Sequence, residues 1–253
     1  MKWNPELYKT KHAFVFDYGE SLIELLKPQE QERILDLGCG TGELTHKISQ
    51  TCPHVVGIDK SPEMIEKAQH EFPGIHFEVG DAANFNFKEK FDAIFSNATL
   101  HWVNQYQAAA QCMYDNLVEG GRIVVEFGGK GNVQSIVNLL KSKLADSGYT
   151  EQAQLNPWYF PSIGAYSSEL ERVGFRVSYA VHYDRPTQLA DNDNGIIDWI
   201  KMFGRVFFKG VDQHDIEAIS ATVQDELETE LFQNGHWYAD YKRIRIVAYK
   251  EGL

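Results

Sequence analysis

Polar and apolar positions alternate along the first half of the chain in a regular way. Short apolar runs at Arg33–Leu37, Val55–Ile58, Ile75–Val79, Phe91–Phe95 and Arg122–Phe127 read as strands. Helical spacing over about 43–50, from Ser61 onward, and over about 105–117 fills the gaps between them. Ser61-Pro62-Glu63 marks one helix start: serine caps the free N–H groups, proline suits the first turn, and the carboxylate favours the positive end of the helix dipole. Strands alternating with helices predict an α/β, Rossmann-like, doubly wound sheet, mostly parallel and covered on both faces. Right-handed crossovers then bring the strand C-terminal ends, and any ligand, to one edge.

The second half follows a different rhythm. An amphipathic helix is expected over about 132–145, with Val133, Ile136, Leu139, Leu140 and Leu144 on one side. After the loop Asn156-Pro157-Trp158-Tyr159-Phe160-Pro161, a helix over about 163–172 leads into a strand at Phe175–Tyr183, and a last strand is expected over Tyr238–Tyr249. The roughly fifty residues between those strands exceed any hairpin loop. Their helical patterns at 196–208 and 215–232 suggest a helical cap over about 185–236. With no repeat or flexible linker, the expectation is one folding unit over 1–253.

Composition narrows the class. Hydrophobic residues at 43% and charged residues at 24% describe an ordinary globular chain, and no apolar run is long enough to span a membrane. Residues 1–18 lack the apolar core of a signal peptide. Cys39, Cys52 and Cys112 show neither metal-ligand spacing nor a disulfide framework, so a reduced, cytoplasmic setting is expected. A formal net charge of −12 argues against a nucleic-acid partner, which would call for a basic face. The dense basic stretch Lys242, Arg243, Arg245 reads as solvated positions on a strand. Nine histidines are scattered without metal spacing, so no metal site is expected.

The chemistry concentrates at three strand ends. In Asp36-Leu37-Gly38-Cys39-Gly40-Thr41-Gly42 a strand runs into three glycines and then a helix. Such glycines let backbone pass close beneath a nucleoside. Asp59, ending the second strand, is placed to accept hydrogen bonds from both ribose hydroxyls. Asp81, after the third, can accept from an adenine amine, and Met64 can pack on a purine face. The spacing Gly38-x-Gly40-x-Gly42 differs from the dinucleotide pattern, and Glu43 at the helix start would repel a pyrophosphate. A cofactor with a positive sulfonium and no phosphate suits this acidic cradle. An NAD-dependent oxidoreductase and a non-enzymatic binding protein are the competing readings.

These residues carry a family resemblance. Asp36-x-Gly38-Cys39-Gly40-Thr41-Gly42, Gly57-Ile58-Asp59-x-Ser61-Pro62-x-Met64 and Asp81-Ala82 are similar to the cofactor motifs of class I S-adenosylmethionine-dependent methyltransferases. Trp3-Asn4-Pro5-x-x-Tyr8 and Asn97-Ala98-x-Leu100-x-Trp102 resemble the trans-aconitate methyltransferase group. The resemblance implies S-adenosyl-L-methionine as cofactor, a seven-stranded sheet whose last strand is antiparallel, and a small acid as one possible acceptor. It also implies a helical N-terminal cover over 1–32, a cofactor-binding core over 33–130, and completion of the sheet over 131–253. Cys39, Lys60, Ala82 and Asn97, within or beside the motifs, join the expected cofactor set, and Tyr8, His12 and Tyr18 are expected to close over its methionine end.

Methyl transfer from a sulfonium needs alignment and exclusion of water more than acid–base chemistry. A carboxylate acceptor needs no base; a hydroxyl does, and His101, just past the fourth strand, is the candidate. Relatives that methylate amino groups carry Asp/Asn-Pro-Pro-Tyr/Phe where this chain has Ser96-Asn97-Ala98-Thr99, which favours an oxygen or carbon acceptor. Trp102, Trp158 and Trp199 are candidates for an apolar acceptor pocket, with Tyr159, Phe160, Met202 and Phe203 beside them in the pattern. Arg205, and Arg185 with it, could clamp an acidic acceptor.

Overall fold

The structure, a computed structural model, describes residues 14–252, with side chains from Gly19 onward except that of Glu20. Among the described residues ten strands form two sheets: β1 (Arg33–Leu37), β2 (His54–Asp59), β3 (His76–Val79), β4 (Phe91–Asn97), β5 (Leu117–Gly128), β6 (Phe175–Asp184), β7 (Thr187–Gln188), β8 (Phe232–Gln233), β9 (His236–Ala239) and β10 (Lys242–Lys250). The large sheet runs β3-β2-β1-β4-β5-β10-β6, and β10 lies antiparallel to β5. Parallel pairing of β1 with both β2 and β4 makes the β1/β4 boundary the point where strand order reverses. A crevice is expected there, beyond the strand C-termini. The helices are α1 (Phe14–Leu26), α2 (Glu43–Ser49), α3 (Pro62–Glu71), α4 (Tyr106–Asp115), α5 (Gln134–Asp146), α6 (Thr150–Ala153), α7 (Ile163–Arg172), α8 (Gly195–Phe203) and α9 (Gln213–Leu231). None is long and apolar enough to cross a membrane among the described residues.

The apolar runs feed two layers at once, because side chains alternate across a strand. Leu35, Leu37, Val56, Ile58, Ile94, Ile123, Val125, Ile244 and Ile246 join Met113 of α4 and Tyr166 and Leu170 of α7 in one buried cluster. Their strand neighbours Ile34, Val55, Ala93, Phe95, Val124 and Val247 meet Leu22 and Leu26 of α1 and Ile48 of α2 in another. Each of the larger aliphatic side chains contributes about 1.5–3 kcal/mol on burial. The sheet is thereby a rigid base for the loops at its edge.

By its own packing the chain divides into two units, one of residues up to 129, 158–182 and 243 onward, the other of 130–157 and 183–242. The second unit holds α5, α6, α8, α9 and the small sheet β7-β9-β8. Several of its elements differ from the sequence reading. The expected strand 238–249 is two strands, because the Tyr241 N–H turns back to Ala239 O at 2.9 Å and ends β9. The helix expected over 196–208 stops at Phe203, and a 3-10 turn at Arg205–Phe208 follows Gly204. A hairpin joins β8 to β9 through Asn234 (φ 52°) and Gly235 (φ 82°). Asn-Gly is the pair that such a tight turn favours.

One expectation about charge fails. Arg243 is only 7% exposed, and Arg245 donates through Nε to Oε2 of the buried Glu126 at 2.6 Å. Strand alternation explains it: Arg243 and Arg245 share their face with Val247, and that face packs inward.

Candidate active site

The first glycine loop is built by clash avoidance. Gly38 sits at φ +81°, and a Cβ there would lie 2.2 Å from the Thr99 side chain. The close approach is tied by Thr99 Oγ1 donating to Gly38 O at 3.1 Å, which joins the end of β1 to the turn after β4. Gly42, the left-handed cap of α2, has Phe77 and Phe72 against the same position. Gly40 differs. Its φ is +55°, yet nothing lies within 4 Å of where a Cβ would be. The loop is thus closed on two sides and open at its middle glycine.

Carboxylates surround that opening. Asp59 accepts from the Gly40 N–H at 3.1 Å and from the Ser61 N–H at 2.8 Å, so it fixes both the loop and the start of α3. Burial raises its pKa, partly offset by those N–H donors. Asp36, 2% exposed, accepts from Thr45 Oγ1 at 2.6 Å. Burial pushes its pKa up to about 7, against the Thr45 hydrogen bond and helped by the charge of Asp59. Glu43 accepts from Thr41 Oγ1 at 2.6 Å through Oε2, while Oε1 is buried with no partner. Asp81 accepts from Lys60 Nζ at 2.7 Å and from the Ala83 N–H at 3.0 Å. Burial would raise its pKa, but the Lys60 and Ala83 hydrogen bonds hold it below the ordinary value. An open glycine face, an orphaned acceptor and an excess of acids fit a cationic nucleoside with hydroxyl and amine donors.

The neighbouring strand ends carry other chemistry. Asn97 ends β4, and Ala98 follows in the left-handed region at φ 56°, its N–H held by Glu126 O at 2.8 Å. A non-glycine residue in that region is often a mark of a functional site. His101, 7% exposed, lies in the 3-10 turn Leu100–Trp102 and accepts the Gly128 N–H on Nδ1 at 3.4 Å. Burial, and then the charge of Arg243, hold its pKa well below the usual histidine value. Trp102, Trp158 and Phe160 build an aromatic wall beside it, with successive ring centres 5.7 Å apart and Phe160 5.8 Å from His101.

Of the other expected residues, Cys39, Met64 and Ala82 are buried. Lys60 is joined to Asp81, so four of the expected positions meet in two clasps, Gly40 with Asp59 and Lys60 with Asp81. In the second unit, Trp199 is buried and donates through Nε1 to the Tyr241 hydroxyl at 2.8 Å, while Arg205 is exposed. Arg185 lies over the Tyr183 ring. Tyr8 and His12 lie outside the described residues, as does the side chain of Tyr18. The sequence reading missed Thr99 and Arg243. A positive-φ alanine cannot be read from sequence, but strand alternation past Val247 pointed to Arg243.

A family model described as a methyltransferase domain matches residues 34–121. An uncharacterized methyltransferase of Schizosaccharomyces pombe is 33% identical over 262 residues, covering 98% of each chain. The chain belongs to the class I S-adenosylmethionine-dependent methyltransferases. Its cofactor is S-adenosylmethionine, and this methyltransferase also resembles the trans-aconitate 2-methyltransferase of an Enterobacter species, 26% identical over 98% of each chain. Among solved structures, an S-adenosylmethionine-dependent methyltransferase from Mesorhizobium loti shares the fold at a TM-score of 0.54 and 16% identity, over 91% of this chain and 96% of that one.

Proposed function

We propose that this methyltransferase transfers a methyl group to an oxygen of a small-molecule acid similar to trans-aconitate, in the cytoplasm and without a nucleic-acid partner. The end-to-end similarity to trans-aconitate 2-methyltransferases carries the reading. A net charge of −12 and the aromatic wall beside His101 support a small organic acceptor over a polyanion.

When bound, S-adenosylmethionine supplies an electrophilic methyl group on a sulfonium. Gly38, Cys39, Gly40 and Gly42 form the floor of its site, Asp59 takes the ribose hydroxyls, and Asp81, steadied by Lys60, takes the adenine amine. Met64, Ala82 and Asn97 complete the cradle. Trp102 and Trp158 line the acceptor side. The protein's part is to align acceptor oxygen, methyl carbon and sulfur, and to exclude water.

The test incubates the purified protein with S-adenosylmethionine and a panel of di- and tricarboxylic acids, alcohols and amines, with products read by mass. The expected product is a base-labile methyl ester of trans-aconitate or a similar acid, lost in Asp59→Asn. Methylation of an amine, or of no acid while S-adenosylhomocysteine still raises the melting temperature, would refute it. Ligand at a hundredfold excess over its dissociation constant stabilises by about 2.7 kcal/mol, a shift that NAD should not give.

A further inference from the structure

The geometry points to His101 as a fixed, neutral hydrogen-bond donor that holds the acceptor through Nε2, not as a base that removes a proton from it. The inference rests on the reading of an oxygen acceptor and adds to it how that oxygen is held.

Each imidazole nitrogen of a neutral histidine is either donor or acceptor, and the partner of one decides the other. The Gly128 N–H, at the end of β5, can only donate, and it points at Nδ1. Nδ1 must therefore carry a lone pair, which leaves the proton on Nε2. Protonating the ring would set an N–H against the Gly128 N–H. It would also place a second positive charge near Arg243, which stands opposite Gly128 in the β5–β10 register. Around the ring, β5 presents the Gly128 backbone, β10 the Arg243 guanidinium, and the aromatic residues Trp102 and Phe160 the remaining packing. Among the described residues Nε2 takes no hydrogen bond, and it is not one of the buried atoms sealed without a partner.

Position connects this donor to the reaction. His101 follows Thr99, whose hydroxyl is tied to Gly38, by two residues. The donor thus lies on the strand end next to the cofactor loop. An Nε2–H there, with the Arg243 charge near the ring, favours an acceptor that arrives as an anion. Its oxygen forms a bond to the methyl carbon as the carbon–sulfur bond breaks and the pair leaves on sulfur. Anion and sulfonium give a neutral ester and a thioether, and no proton is released for His101 to collect.

Two measurements test this. Long-range proton–nitrogen spectroscopy of protein carrying 15N-histidine reads which ring nitrogen of His101 is protonated, and needs no substrate. One tautomer, protonated on Nε2 and unchanged between about pH 5 and 8, is expected; a proton on Nδ1, or titration within that range, overturns the proposal. The second compares His101→Gln and His101→Phe on trans-aconitate as probe. Gln keeps a donor near the same place, so its kcat/KM should stay within about threefold. Phe lacks one and should lose about ten- to a hundredfold, mainly as a higher KM. Equal, large losses of kcat in both variants, with an acidic limb in the wild-type pH profile, would restore the base. If no acid is methylated at all the oxygen-acceptor reading fails, while the spectroscopic result still decides the state of His101.

Discussion

The two sides of the sheet's C-terminal edge differ in chemistry. The β1, β2 and β3 side of the edge carries Asp36, Glu43, Asp59 and Asp81, the last paired with Lys60. At β4, β5 and β10 the same edge presents His101, Arg243 and the rings of Trp102, Trp158 and Phe160. A sulfonium donor suits the carboxylate side, and the proposed acceptor would meet the aromatic side and His101. The difference teaches that one scaffold edge can offer two reactants different surroundings, with alignment following from where the groups lie.

The largest expected effect separates two glycines in the acidic half. Gly38→Ala forces a Cβ to 2.2 Å from Thr99 at a φ of +81°. Overpacking and backbone strain together should cost about 4 kcal/mol, visible as a lower melting temperature without any ligand. Gly40→Ala meets nothing within 4 Å and should cost only about 1 kcal/mol from its φ. It should nonetheless abolish binding of S-adenosylhomocysteine, because its open face is where the ligand is proposed to lie. Equal stability losses, or full binding by Gly40→Ala, would break the distinction between a packed glycine and a ligand-facing one.

The buried Asp36 comes next. Its folded pKa of about 7 exceeds the ordinary 3.8, so the folded state holds the proton more tightly. Stability from this group is complete below about pH 4 and is lost as pH rises through 7, by up to about 4 kcal/mol on linkage. Asp36→Asn cannot ionise. Relative to the wild type, its melting temperature should therefore improve steadily from pH 5 to pH 8. A constant difference across that range would show that Asp36 is ionised throughout.

How far these features were legible in the sequence depends on the range of the interaction behind each. The glycine loop, Asp59 and the capped start of α3 follow from local rules, since Ser61 accepts from the Met64 N–H within its own turn. Sheet alternation also reads locally, because each strand's two-residue period assigns its own faces. The tie from Thr99 to Gly38 and the Gly128 contact with His101 span 61 and 27 residues. No local pattern encodes such contacts. The hairpin at Asn234-Gly235 carried a readable turn signal, but a helical pattern running into Phe232 masked it. Arg243 was misjudged because charge suggested solvent, while the alternation through Val247 pointed inward.

The smallest effect sharpens the comparison most finely. The Lys60 side chain is 78% exposed, so its ion pair with Asp81 adds little to stability. Lys60→Ala should change the unfolding free energy by less than about 0.5 kcal/mol. Its consequence lies instead in the state of Asp81. Without the ammonium, that carboxylate loses one hydrogen bond that lowers its pKa and keeps only the Ala83 N–H. Its side chain is then free to turn away from the adenine amine it is proposed to meet. Calorimetric titration with S-adenosylhomocysteine should show affinity falling about two- to fivefold, a loss under 1 kcal/mol. That loss should grow as the pH falls toward the carboxylate range, because protonation of Asp81 competes more effectively once Lys60 is gone. Unchanged affinity at every pH would mean that Lys60 neutralises an acidic edge without positioning Asp81. The acidic half would then act on its ligand through Asp59 and the glycine loop.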